Sequence, residues 1–330
     1  MDCKIFRALL ATFLLLSMTL VACDKDTEEE TDTQSMSGEV EFSIPTYVLK
    51  GETVTLTASG IINPKQVTYK WYIDGLYSDT LTAPVVTVRF PDSIGVFTVL
   101  GVCDADGYYL TSTSKTVSTI DASQEGSLTG LYHGGQSIVD ERDGMEYEYV
   151  TLGGLDWFAQ NLGYLGGNAI AYEGSPSALG LFGAFYTWEE AVSGNICPAG
   201  WRVPDNADWE SLGAALKGEA VPFVDNWDGL GVKASANAFL LEEKMWPYSP
   251  DNLHSNDSGW NAIPLGVTTR EGKEWSGVGE YGYWWSTSAR NATLGYYRYI
   301  YYDRSAFPMA SGSKTEMRAS VRCVRTHPQS

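Results

Sequence analysis

Two cysteines, Cys197 and Cys323, bracket a late segment unusually dense in glycine and aromatic residues. It holds Tyr283-Trp284-Trp285-Ser286 and Tyr296-Tyr297-Arg298-Tyr299-Ile300-Tyr301-Tyr302. Such a stretch calls for short strands joined by long loops. One face of each strand must be core, because successive side chains alternate sides. No catalytic set accompanies these rings. The G-x-S-x-G elbow is absent, and no Ser/His/Asp arrangement presents itself. The combination favours a recognition module over an enzyme.

The first residues set the compartment. Lys4 and Arg7 precede an apolar run, Ala8 to Ala22, of signal-peptide length. It ends Leu20-Val21-Ala22-Cys23, which resembles a bacterial lipobox. Residues 1–22 are then expected to be a lipoprotein signal, with Cys23 the lipid carrier. Acyl chains anchor because each buried CH₂ contributes about 0.8 kcal/mol. Residues 23–38 read as an acidic, disordered tether, Asp24-Lys25-Asp26-Thr27-Glu28-Glu29-Glu30 at its start. That run resembles the export signal of Bacteroidetes surface lipoproteins, which implies an outer-membrane, outward-facing location. The formal charge of −19 argues against nucleic acid and against peripheral binding to anionic lipid. The lipid anchor is therefore the only membrane contact expected. Cys103, Cys197 and Cys323 remain in an oxidising compartment, and three thiols cannot all pair within one chain.

Residues 39–121 read as an all-β sandwich. Val54, Leu56 and Ala58 alternate, as do Val67, Tyr69, Trp71 and Ile73, between turn signals such as Asp74-Gly75 and Asp106-Gly107. Val67 to Gly75 and Phe90 to Gly107 resemble the central and final strands of polycystic-kidney-disease (PKD) and immunoglobulin-like repeats. Trp71 is then a core tryptophan, Cys103 a buried thiol and the domain a spacer. Asp79-Thr80-Leu81 and Asp92-Ser93-Ile94 resemble an O-glycosylation triplet of Bacteroidetes secreted proteins. Residues 122–135, rich in Ser, Gly, Gln and Glu, read as a linker.

Residues 136–330 read as an α+β domain. Asp205 is a good N-cap, Asp208 complements the first-turn amides, Trp209, Leu212 and Leu216 share a face, and Gly218 stops the helix. A second helix is expected over Tyr186 to Val192, ending at Ser193-Gly194. Six motifs then follow in order. They are Asp156-Trp157-Phe158-Ala159-Gln160-Asn161-Leu162, Phe185-Tyr186-Thr187-Trp188, Ile196-Cys197-Pro198-Ala199-Gly200-Trp201-Arg202-Val203-Pro204 with Asp208-Trp209, Gly259-Trp260-Asn261-Ala262-Ile263-Pro264-Leu265-Gly266, Tyr283-Trp284-Trp285-Ser286, and Ser320-Val321-Arg322-Cys323-Val324. Together they resemble the Fibrobacter succinogenes major paralogous domain. The resemblance implies a C-type-lectin-like fold, akin to formylglycine-generating enzymes, in which the last strand returns beside the first. It thereby implies a Cys197–Cys323 disulfide. The histidine and copper sites of the enzymatic relatives have no counterpart set here, since His133 and His327 fall in the linker and the tail.

The functional expectation is a non-catalytic surface lipoprotein whose head binds a glycan or a cell-surface protein. Its contact residues are expected to be Arg298, Tyr299, Tyr301, Asp303, Arg304, Phe307 and Lys314, with residues 303–318 an exposed loop. A structural envelope or fimbrial-tip component is the alternative, and an enzyme of the formylglycine-generating group the third reading. Glu189, Glu190, Asp208 and Glu210 read as helix-surface carboxylates rather than a glycosidase pair. No cofactor or metal is expected. Calcium is the one cation left open, through Asp74, Asp104 and Asp106 or through Asp251-Asn252 and Asn256-Asp257, all of which read better as turns.

Overall fold

A computed structural model describes residues 33–76, 81–193 and 195–328. The expected signal segment, Cys23, the tether up to residue 32, Asp79-Thr80 of the first triplet and Gly194 lie outside the described residues. The described chain is mostly β.

The N-terminal part is a sandwich. A five-stranded sheet runs in the spatial order Tyr47–Leu49, Thr111–Ile120, Gly95–Asp104, Thr68–Ile73, Leu81–Thr82. Two antiparallel pairs, Ser37–Glu41 with Ser59–Asn63 and Thr53–Thr57 with Val85–Arg89, supply the residues opposite. Val40, Leu56, Val88 and Phe90 meet Trp71, Ile73, Val99 and Val117 between the layers. Trp71 is 1% exposed, its indole N–H donates to the Ala83 carbonyl at 2.9 Å, and Phe42 packs edge-on against it. The ladders satisfy the buried backbone here, so few polar side chains enter. Cys103 is a buried free thiol in that core.

The C-terminal part has less ladder and more loop. Its four-stranded sheet orders Ser137–Val139, Glu146–Leu152, Leu155–Phe158 and Val324–Thr326, so the final strand lies beside one of the first. A five-stranded sheet orders Ile170–Ala171, Ala184–Thr187, Met317–Ala319, Leu265–Thr269 and Trp275–Val278. A third orders Tyr281–Ala289, Leu294–Tyr301 and Met309–Ser313. Cys197 and Cys323 are joined, with Cα atoms 5.9 Å apart and a separation of 126 positions in sequence.

The helix Asn206–Lys217 forms for local reasons. Asp205 accepts from the Asp208 amide at 3.0 Å while Asp208 accepts from the Asp205 amide at 2.9 Å. Gly218 closes it at φ 86°, a left-handed position that suits glycine. Trp209, Leu212 and Leu216 are buried. The second helix is shorter than the sequence predicts, spanning Trp188–Val192. Tyr186 instead pairs with Ala319 as a strand residue and is wholly buried, so the strand ladder wins that residue.

Residues 122–135 are not a free linker. Gln124–Ser127 make one helical turn, and Leu128–Thr129 pair with Phe239–Leu240. Leu128 is 1% exposed, in a cluster with Ile120, Phe182 and Phe185. Tyr47 and Leu49 of the sandwich pack on that same cluster. Hydrogen bonds also cross the junction. The Tyr47 amide donates to Ser175 Oγ at 2.9 Å, and Ser177 Oγ donates to the Glu52 carboxylate at 2.7 Å. The sandwich is thus seated on the body through a buried apolar contact.

Candidate functional site

The hairpin Tyr281–Ala289 and Leu294–Tyr301 pairs Tyr281 with Tyr301, Tyr283 with Tyr299 and Trp285 with Tyr297. Paired residues share a face, and the period of two keeps alternate residues there. Five tyrosines therefore form one tier: Tyr281, Tyr283, Tyr297, Tyr299 and Tyr301. The opposite face carries Trp284, Arg298 and Ile300, all wholly buried. At one end the tier is covered, since Trp285 on the same face is also buried. At the other end the rings are half-buried. Tyr281 stacks on Tyr301 at 4.4 Å and on Tyr283 at 5.5 Å, and Tyr283 stacks on Tyr299 at 5.9 Å. Such stacking immobilises the rings before any ligand arrives, which lowers the entropy lost on binding.

The phenols of Tyr283, Tyr297 and Tyr301 stay protonated. Burial, then the neighbouring tyrosines, raises Tyr283, and burial raises Tyr297. Tyr301 is pushed up to about 12, chiefly by its hydrogen bond with Tyr302 and secondarily by burial. Each hydroxyl is then both donor and acceptor at neutral pH. The tier offers apolar ring faces, ring edges and neutral hydroxyls.

The residues expected at the site divide. Tyr299 and Tyr301 lie on the tier. Asp303 and Arg304 are exposed in the turn just beyond it, where Asp303 accepts from Ser249 Oγ at 2.9 Å. Lys314 sits at the far end of the sheet, its ammonium 4.1 Å from the Trp188 ring centroid. The strand Leu294–Tyr301 separates it from Arg304, roughly 20 Å at ~3.3 Å per residue. Arg298 and Phe307 require correction. Both are wholly buried and cannot touch a ligand. Arg298 donates to the carbonyls of Phe223, Asp225 and Phe307, and its guanidinium lies 3.2 Å from the Trp227 ring centroid. Residues 303–318 are likewise not one exposed loop. Met309–Ser313 is a strand, and Arg318 is 3% exposed and paired with Glu190 at 2.7 Å. Tyr281 and Tyr283 are tier residues that the sequence reading omitted. The signal was present, because Tyr281-x-Tyr283 faces Tyr297-x-Tyr299-x-Tyr301 across a short turn.

The motif residues form a frame behind this face. Asn161 Oδ1 accepts from Arg322 Nε at 2.8 Å and from the Trp284 indole at 2.9 Å, while its Nδ2 donates to the Phe182 carbonyl at 3.1 Å. Arg322 also donates to the carbonyls of Phe158, Trp260 and Asn261. Its hydrogen bonds all go to neutral oxygens, and burial lowers its pKa to about 9. Glu190 and Asp208 are also structural rather than solvated. Glu190 caps its helix and pairs with Arg318, and Asp208 caps the longer helix and binds Arg202 at 2.7 Å. A polar cleft of about 750 Å³ lies over the Glu190–Arg318 pair, walled by Tyr164, Asn168, Asn195 and Arg270. Among the described residues no group of three or more His, Cys, Asp or Glu could hold a metal ion.

No curated protein matches the chain. The family description "Fibrobacter succinogenes major domain" matches residues 150–325, which takes in Asn161, the disulfide, the buried Arg298, Arg318 and Arg322, and the whole tyrosine tier. By that match the chain belongs to the Fibrobacter succinogenes major domain family.

Proposed function

We propose that this is a lipid-anchored protein of the outer membrane, facing outward, whose C-terminal body recognises a ligand without transforming it. Family membership is in keeping with a surface-associated protein. The observation that carries the reading is the half-exposed tyrosine tier. Tyrosine presents a large, rigid apolar area with a polar tip and loses little rotamer entropy, which suits recognition of a glycan or a protein surface. The reading needs no cofactor.

In this reading residues 1–22 are the signal, Cys23 carries the lipid, and the acidic run after it is the tether, which ends before Gln34 joins the sandwich rather than at residue 38. Residues 39–121 are an immunoglobulin or PKD-like module. Residues 136–330 are a C-type-lectin-like head, supported by the return of the last strand to the first and by the bond between Cys197 and Cys323.

The test uses the full chain on a printed glycan array and on a panel of purified cell-surface proteins. A Tyr281→Ser, Tyr299→Ser, Tyr301→Ser triple variant should lose its hits, while Lys314→Ala keeps them. Hits that survive the triple variant would remove the tier from the site. Labelled palmitate should enter the wild type and not Cys23→Ser; equal incorporation would remove the anchor.

A further inference from the structure

A second cleft opens at the junction of sandwich and body, beside the tyrosine tier. Its volume is about 340 Å³, enough for one or two side chains. Tyr47, Val96 and Ser118 wall it from the sandwich, and Leu240, Leu241 and Val278 from the body. Val96 is 65% exposed and Val278 39%, so apolar surface stands open to water where two bodies meet. The hairpin behind it holds two non-glycine residues in the left-handed region, Leu241 at φ 50° and Glu242 at φ 72°. That conformation is costly for both. It keeps Leu241 in the cleft wall, anchored by its amide on the Ser127 carbonyl at 2.9 Å.

The cleft and the tier are continuous. Val278 and Gly279 form the cleft rim, and the chain turns at Glu280 directly into Tyr281. The Tyr281 ring lies over Gly277, so close that a Cβ there would be 2.9 Å from the ring. The charge is predominantly acidic, although Lys244 lines the cleft together with Glu243 and Arg304 is exposed beyond the tier. Glu280 is exposed and close enough to raise the Tyr283 and Tyr301 phenols, and Glu242 and Glu243 are exposed on the hairpin with Lys244 as the one cation of that turn. An apolar slot next to stacked rings with acidic residues at the edge suits an aliphatic group followed by a cation. Tyrosine faces attract a cation through their negative quadrupole. A neutral glycan supplies neither group, whereas an extended peptide supplies both from side chains two residues apart.

We propose that the sandwich completes the recognition site, and that the joint groove takes an extended peptide segment with an aliphatic side chain beside a lysine or arginine. This rests on the tyrosine tier being the recognition face. The sandwich then contributes Val96 and Tyr47 to binding.

Fluorescence anisotropy of the full chain tests it with three labelled octapeptides in a Gly/Ser background. One carries leucine and arginine two residues apart, one has glutamate for the arginine, and one has serine for the leucine. The first should bind roughly tenfold tighter than either control and weaken with added salt. Val96→Asp and Glu280→Lys, both at exposed positions, should each weaken it roughly tenfold with thermal stability unchanged. Equal binding of the three peptides, or wild-type affinity in Val96→Asp, overturns the proposal. If no peptide binds while the array hits still depend on the tyrosines, the peptide inference falls and the tier stands. If the peptide binds the triple tyrosine variant as it binds wild type, the tier itself falls.

Discussion

The sandwich and the body solve one problem in different ways, the problem of burying backbone without orphaning its polar groups. The sandwich does it with ladders. Gly95–Asp104 and Thr111–Ile120 pair along nine positions, from Gly95 with Thr119 to Cys103 with Thr111, and the core needs only apolar residues and one tryptophan. The body has irregular chain running through its interior, at Phe223, Trp260, Asn261 and Phe307. It satisfies those carbonyls with the guanidinium groups of Arg298 and Arg322. Each arginine is a rigid fork of donors, so one side chain ties several loops together. The difference also explains where motifs arise. Apolar alternation can be met by many sequences, whereas Asn161, Trp260, Trp284 and Arg322 must each be themselves.

Two built-in probes can break this comparison. Cys103 is a buried thiol in the sandwich, and ten of the eleven tryptophans lie in the body. Thiol labelling mapped to Cys103 therefore follows one region and tryptophan fluorescence follows the other. The largest effect is expected from Cys197→Ser with Cys323→Ser. Releasing a loop of 126 residues should cost the body on the order of 5 kcal/mol on chain-entropy grounds. Fluorescence should shift to lower denaturant concentration while Cys103 keeps its protection. If the two transitions move together, the junction couples the regions into one unit and the contrast is only architectural. Next comes Arg322→Met, which takes a donor from three buried carbonyls and one of the two donors from Asn161 Oδ1. A loss of roughly 3–5 kcal/mol is expected, again in the fluorescence transition. A loss below about 1 kcal/mol would mean that water or neighbouring groups satisfy those oxygens, and the frame argument would fail.

Much of this was legible in the sequence, and the reason is locality. The helix Asn206–Lys217 is written in Asp205, Asp208, Trp209, Leu212, Leu216 and Gly218, all within a few turns of each other. The alternation around Trp71 reports a strand wherever that strand ends up. Arg298 was misread because an arginine between tyrosines looks like surface. Its burial depends on carbonyls offered by residues 223 and 225, more than 70 positions away. Residues 122–135 look like a linker by composition, and their order comes from Phe239–Leu240, about 110 positions on. The parity of the tyrosines was readable, but which parity faces out was not. That was decided by the rest of the core, packed around Trp284 and Ile300.

The smallest expected effect separates the regions by pH. All three histidines of the chain lie in the body. His254 stacks on Trp246 at 4.8 Å, and both its ring nitrogens are buried without a hydrogen-bond partner. Burial, reinforced by Lys244, lowers its pKa from 6.5 to about 4. The unfolded chain then binds a proton that the folded chain refuses. Stability from this group is complete above pH 6.5, declines as pH falls toward about 4, and is flat below that. The loss should be on the order of 1–2 kcal/mol, discounted for the partial exposure of the ring. His254→Phe keeps the stack and removes the proton site. It should flatten the pH dependence of the fluorescence transition between pH 6.5 and 4 and leave Cys103 protection unchanged. Asp156 acts in the same direction at lower pH. Burial raises its carboxyl, but hydrogen bonds from Arg325, Thr151 and His327 outweigh that and hold it below the ordinary value. Its contribution is therefore present above about pH 4 and is lost as pH falls through its depressed pKa. A variant that still weakens between pH 6.5 and 4 would show that another group in the body carries the titration.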